Sequence, residues 1–172
     1  MPNTYYSVTD DYVIGLRWYD RGNYAKAAYY WDPLVEKGDC DAEFRVGFLY
    51  FLGQGKPQDN EQALALWRKA ANGNQQKAQW ALGDLYYQNI SVIKNLGGHG
   101  CPKCEIQKDI VQAYVWYRLF EKSAKYGNEK SYAKQVLAEI TSEMNSDQIN
   151  QGDELVLKWI PTPKDCGARN LW

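Results

Sequence analysis

Three alanines mark a period in this chain. Ala27 and Ala63 stand 36 residues apart, and Ala63 and Ala113 stand 50 apart, the same period with 14 residues inserted between Tyr86 and Asp109. Other small and aromatic residues recur with them. Gly15, Trp18, Trp31 and Gly38 lie upstream, Ala42, Gly47, Tyr50, Trp67 and Gly73 in the middle, and Ala78, Gly83, Tyr86, Tyr117 and Gly127 downstream. A fixed period of this size means stacked helical hairpins, because one hairpin cannot bury its apolar face alone. Alanine and glycine on the first helix let the second approach closely, and the aromatic residue fills the space one turn further on.

Helical periodicity runs throughout, and no stretch alternates apolar and polar positions with β-branched residues as a half-buried strand would. The pattern predicts helices over about 8–21, 24–37, 41–52, 59–72, 75–88, 109–126, 128–143 and 146–159. In the loop GQGKPQD, residues 53–59, the glycines permit turns closed to other residues, Pro57 stiffens the chain, and Asp59 is placed to cap the next helix. Asn145 and Gln148 fit a cap box at the last helix.

Composition narrows the class. With 172 residues, 45% of them apolar and 24% charged, the chain reads as one soluble globular domain with a real core. The 20 Lys and Arg against 21 Asp and Glu leave a net charge of -1 and no basic run, which argues against a nucleic-acid partner. No apolar run approaches the roughly 18 residues that membrane insertion needs. The start, MPNTYYSVTDDYV, lacks the basic and apolar stretches of a secretory leader. The expected location is cytoplasmic if Met1 is native, and periplasmic or secreted if a signal peptide has been removed.

Residues 42–74, AEFRVGFLYFLGQGKPQDNEQALALWRKAANGN, resemble one complete Sel-1-like repeat, a relative of the tetratricopeptide repeat. They follow its A-x-x-x-L-G-x-x-Y-x-x-G-x-G-V-x-x-D-x-x-K-A-x-x-W-Y-x-K-A-A-x-x-G pattern. Val46 stands at the usual Leu, Lys56 at the usual Val, and the helix after Trp67 is one residue short. By the same resemblance, a single domain over 1–160 divides into a degenerate repeat at about 10–40, a repeat at about 41–77, a repeat with an insertion at about 78–127, and capping helices at about 128–159. An inserted loop occupies 89–108 and a C-terminal tail 160–172.

The resemblance implies an all-α fold, a right-handed α-solenoid of antiparallel helix hairpins, acting as a scaffold for protein contacts. Family members serve in secretion and degradation complexes, bacterial signalling, polysaccharide export and host interaction, and as immunity proteins. Catalytic residues do not define the family. Its members with enzyme-like activity carry cysteines seven apart within each repeat, and this chain lacks them. The expected function is therefore a non-enzymatic protein-protein interaction module, a bacterial adaptor or inhibitor that binds one protein partner through its concave aromatic face and the inserted loop. An immunity protein against a secreted toxin and a zinc- or redox-responsive scaffold are the alternatives.

Helical geometry suggests where a partner sits. Counted from Asp10, Ala42, Ala78 and Ser131, the core positions of each first helix are offsets 0, 4, 5 and 8, an arc centred near 65° at about 100° per residue. Offsets 2, 6 and 9 lie well off that arc and carry Tyr12, Leu16 and Tyr19, then Phe44, Phe48 and Phe51, then Trp80, Asp84 and Tyr87. Stacking lines these nine residues up on the inner wall, where Trp and Tyr are the anchors that interfaces favour. Helix 41–52 is apolar nearly all round, so neighbouring repeats, the tail or a partner must cover its second face. Tyr29, Tyr30, Trp116 and Tyr117 on the second helices read as packing between helices.

The insertion holds the remaining chemistry. Cys101 and Cys104 suit a redox pair, a small loop disulfide, or a zinc site with His99 and, if the tail folds back, Cys166 as fourth ligand. His99 is the chain's single histidine, so no Ser/His or Cys/His catalytic arrangement can be built away from this loop. Cys40 reads as buried packing. The tail, with Pro161 and Pro163, cannot continue the last helix, and its apolar end at Leu171 and Trp172 favours docking.

Overall fold

Asp10, Asp39, Asp59 and Asp109 each accept a hydrogen bond from a backbone amide two or three residues ahead, at 2.9 to 3.0 Å. Each aspartate satisfies one of the free amides of a first helical turn, a group that alanine would leave unmet. Asn145 and Gln148 form the reciprocal cap expected of them, at 2.9 and 3.0 Å.

The computed structural model describes residues 10–87, 107–162 and 166. Among them lie eight α-helices and no strand: α1 Asp11–Asp20, α2 Tyr24–Glu36, α3 Cys40–Leu52, α4 Asn60–Asn72, α5 Gln76–Tyr87, α6 Ile110–Ser123, α7 Gly127–Glu143 and α8 Ser146–Lys158. Each helix from α1 to α6 packs on the next, and α8 returns to lie on α6. The molecule is an all-α solenoid closed by two helices that both rest on α6.

The recurring glycines are contact points. A Cβ on Gly15 would overlap the Trp31 indole, one on Gly47 the Trp67 indole, and one on Gly83 the Tyr117 ring. In the first two hairpins the aromatic lies flush against the facing backbone and its indole N–H donates to a carbonyl there, Trp31 to Tyr12 and Trp67 to Phe44, both at 3.1 Å. Ala27, Ala63 and Ala113, the period's markers, are fully buried. At the corner after α3, Gly55 takes φ of +69°, and a Cβ there would strike the Tyr24 and Ala25 backbone. Lys56, the departure from the repeat pattern, reaches back to Asp32 at 2.9 Å and lies over the Tyr50 ring.

Two core clusters result, and α3 belongs to both. Ala42, Val46 and Leu49 face the first hairpin with Tyr12, Ala28 and Trp31. Phe44, Phe48 and Phe51 face the other way, into the cluster that holds Trp67, Leu82, Tyr117 and Val156. Neighbouring repeats are therefore what covers the second face of this apolar helix.

Candidate functional site

The nine residues expected on one wall separate into two sets. Leu16, Tyr19, Trp80 and Tyr87 are partly exposed. Tyr12, Phe44, Phe48, Phe51 and Asp84 are no more than 5% exposed, which corrects their reading as side chains open to a partner. The physical reason is the stack itself. A first helix such as α3 packs on α2 of the preceding hairpin and on α4 of its own, so its buried arc is wider than a single-sided count allows. Phe48 and Phe51 rest on Trp67, at 4.7 and 5.2 Å between ring centroids.

The surroundings of Tyr19 are aromatic and cationic. Tyr19 stacks near Tyr24 and Trp31, and the Arg45 guanidinium lies 5.8 Å from its ring. Arg45 Nε also donates to the Tyr12 hydroxyl at 3.4 Å. Burial raises the Tyr19 pKa, against the pull of Arg45. Lys77, at the start of α5, is held below the usual lysine range by its own burial and by Arg45, with Asp41 and Glu129 opposing. Neither Arg45 nor Lys77 falls on the offsets that sequence periodicity picks out.

On α5, Trp80 and Tyr87 stay partly exposed. Trp80 meets Tyr132 of α7 edge to face at 6.5 Å, and its indole nitrogen is shielded from solvent without a hydrogen-bond partner among the described residues. The Tyr87 hydroxyl donates to Glu143 at 2.7 Å, Lys108 pairs with the same carboxylate at 2.7 Å, and the lysine also lies over the Tyr87 ring. The hydrogen bond to Glu143 pushes the Tyr87 pKa up to about 12. Lys108, and then Tyr87, hold the Glu143 carboxyl below its usual range.

Asp84 is a buried carboxylate that accepts a hydrogen bond from the Tyr117 hydroxyl. Burial first, and then the Asp84 charge, drive the Tyr117 pKa upward. Sequence reasoning also missed Gln79, fully buried, which donates to Asn74 at 3.1 Å and accepts from Ser123 at 2.6 Å. A polar residue on an apolar helix face was its available signal.

The cysteines fall differently from the zinc expectation. Cys166 is joined to Cys40 in a disulfide, with Cα atoms 5.2 Å apart. A sulfur in that bond is not a thiolate, so Cys166 is withdrawn as the fourth ligand, and Cys40 is bonded as well as buried. His99, Cys101 and Cys104 lie outside the described residues. Among the described residues no cluster of three or more His, Cys, Asp or Glu side chains is placed to hold a metal ion. No described helix is long and apolar enough to cross a membrane.

The model of one family, Sel1 repeat, matches residues 40–75 and 76–125, half of the chain. The chain belongs to the Sel1 repeat family. It is 33% identical over 73 residues to the human protein sel-1 homolog 2, covering 42% of this chain and 11% of that one. Among solved structures it resembles a protective antigen present in uropathogenic Escherichia coli strains displaying an SLR fold. That likeness has a TM-score of 0.66 at 22% identity, over 90% of this chain and 30% of the other. It also resembles a Sel1 repeat protein from Oxalobacter formigenes, with a TM-score of 0.50 at 26% identity, over 67% of this chain and 43% of that one. The chain thus spans less than half the length of each. Sel1 repeats are generally protein-protein interaction modules, and their fold is typically a non-catalytic scaffold.

Proposed function

We propose that this Sel1 repeat chain is a non-enzymatic adaptor or inhibitor that holds one protein partner on the wall formed by Leu16, Tyr19, Trp80 and Tyr87. The observation that carries the reading is Trp80, a partly exposed indole at the position whose counterparts, Tyr12 and Phe44, are sealed in the core. Half-buried Trp and Tyr are rigid, and a partner that desolvates them gains apolar area at little entropic cost. Arg45 and Lys77 border the same wall and favour a partner segment with carboxylates. Inhibition of a secreted toxin is the narrower form of this proposal, and it draws on the family rather than on a particular residue.

The test is a pull-down with the full chain as bait beside Trp80→Ala and Tyr87→Ala, with circular dichroism to show that each variant keeps its helices. Loss of one specific band from both variants is expected. Undiminished capture would remove the wall from consideration, and turnover abolished by one substitution would replace the binding reading with an enzymatic one.

A further inference from the structure

In a solenoid each hairpin touches its neighbours. Here the chain beyond α8 returns from the last helix to the second hairpin. The Trp159 indole donates to the Asn72 side chain at 3.4 Å, the Thr162 amide donates to the Asn72 carbonyl at 2.7 Å, and Cys166 is bonded to Cys40, 126 residues earlier. All three contacts fall at one edge, where α3 begins and α4 ends. The Asn72 carbonyl belongs to the last turn of α4 and has no partner within the helix, so Thr162 supplies what a C-terminal cap would. Cys40 is 1% exposed, and Trp159 and Cys166 both pack against the main core cluster. Helix α8 itself rests chiefly on α6, and these contacts tie the chain that follows it to the second hairpin.

We propose that Trp159, Thr162 and Cys166 act together as a redox-controlled covalent strap that locks the end of the solenoid onto its second hairpin. Closing it joins the two sulfurs and removes two electrons and two protons from the thiols. An oxidised dithiol protein or small-molecule disulfide takes them up by exchange. The closed strap belongs in an oxidising compartment, outside the reducing cytosol. A dithiol reductant returns both electrons and protons, frees the sulfurs and lets α8 move relative to α3. The strap stands apart from the wall proposed above, so failure of either leaves the other in place.

The test uses the full chain. Digestion without reductant, followed by mass spectrometry, is expected to yield one cross-linked pair of peptides carrying Cys40 and Cys166. Treatment with dithiothreitol is expected to leave the helical spectrum at 25 °C intact, lower the Tm by about 10 °C or more, and cut protection of the Thr162 amide at least about tenfold. Cys166→Ser should behave as the reduced protein without any reductant, and Cys101→Ser with Cys104→Ser should leave Tm and protection as they were. Alkylation of Cys40 in unfolded, unreduced protein would overturn the proposal. So would reduction that leaves Thr162 as protected as before, or that abolishes the helical spectrum and shows a bond the whole fold requires rather than a strap.

Discussion

The Tyr117 hydroxyl donates to the buried Asp84 carboxylate, where the first two hairpins carry a tryptophan in place of Tyr117 and Leu16 or Phe48 in place of Asp84. The two departures from the repeat are one exchange. An indole satisfies its N–H on the facing backbone, as Trp31 and Trp67 do, and leaves offset 6 free to be apolar. A phenol in the same slot turns its hydroxyl toward offset 6 and finds an acceptor there.

This exchange predicts strong coupling between the two side chains. Tyr117→Phe should destabilise the fold by about 2 to 4 kcal/mol, because a buried carboxylate loses a donor and keeps its desolvation cost. Asp84→Leu with Tyr117→Trp rebuilds the pairing of the earlier hairpins. That double variant should cost less than the sum of its single changes by about 1 to 3 kcal/mol in urea unfolding. Costs that add to within about 0.5 kcal/mol would mean that the residues are neighbours without being partners.

Glycines at the hairpin contacts should respond differently from one in open space. Gly47→Ala drives a methyl group into the Trp67 indole and is expected to cost roughly 2 to 3 kcal/mol, with Gly15→Ala similar against Trp31. Gly127 opens α7 with nothing within 4 Å of an added Cβ, so Gly127→Ala should be neutral or stabilise by up to about 1 kcal/mol. Thermal unfolding of the three variants separates the cases, and equal Tm shifts would contradict the close-approach account.

The fold was legible because Gly47, Trp67 and their counterparts are where two helices touch, and contact of that kind leaves a fixed spacing in the chain. Which side chains stay open to solvent was legible in part. Offsets 2, 6 and 9 mark a second face on each first helix, but the sequence does not show which neighbour covers it, and so Phe44, Phe48 and Phe51 read as partner residues when the core around Trp67 already seals them. Arg45 and Lys77 escaped because charged residues between two faces look like ordinary solvated positions. The Cys40–Cys166 bond spans 126 residues and follows no local spacing, so no pattern within one repeat announces it.

Alkaline pH should loosen the molecule through its tyrosines. The folded state raises the pKa of Tyr117 by burial and by Asp84, and that of Tyr87, to about 12, by its bond to Glu143; burial raises Tyr114 and Tyr19 too. A group that holds its proton more tightly when folded contributes stability that is complete below the unfolded value, near 10, and is lost as pH rises through the folded value. For Tyr87 that window runs from about 10 to about 12. Lys77 works the other way, since burial lowers its pKa and its contribution grows as pH climbs past that lowered value. Urea midpoints should therefore fall between about pH 10 and 12. They should fall less steeply in the double variant Asp84→Leu, Tyr117→Trp, which removes one of the shifted tyrosines. Parallel pH profiles for the two proteins would show that Tyr117 does not hold its proton against the solvent.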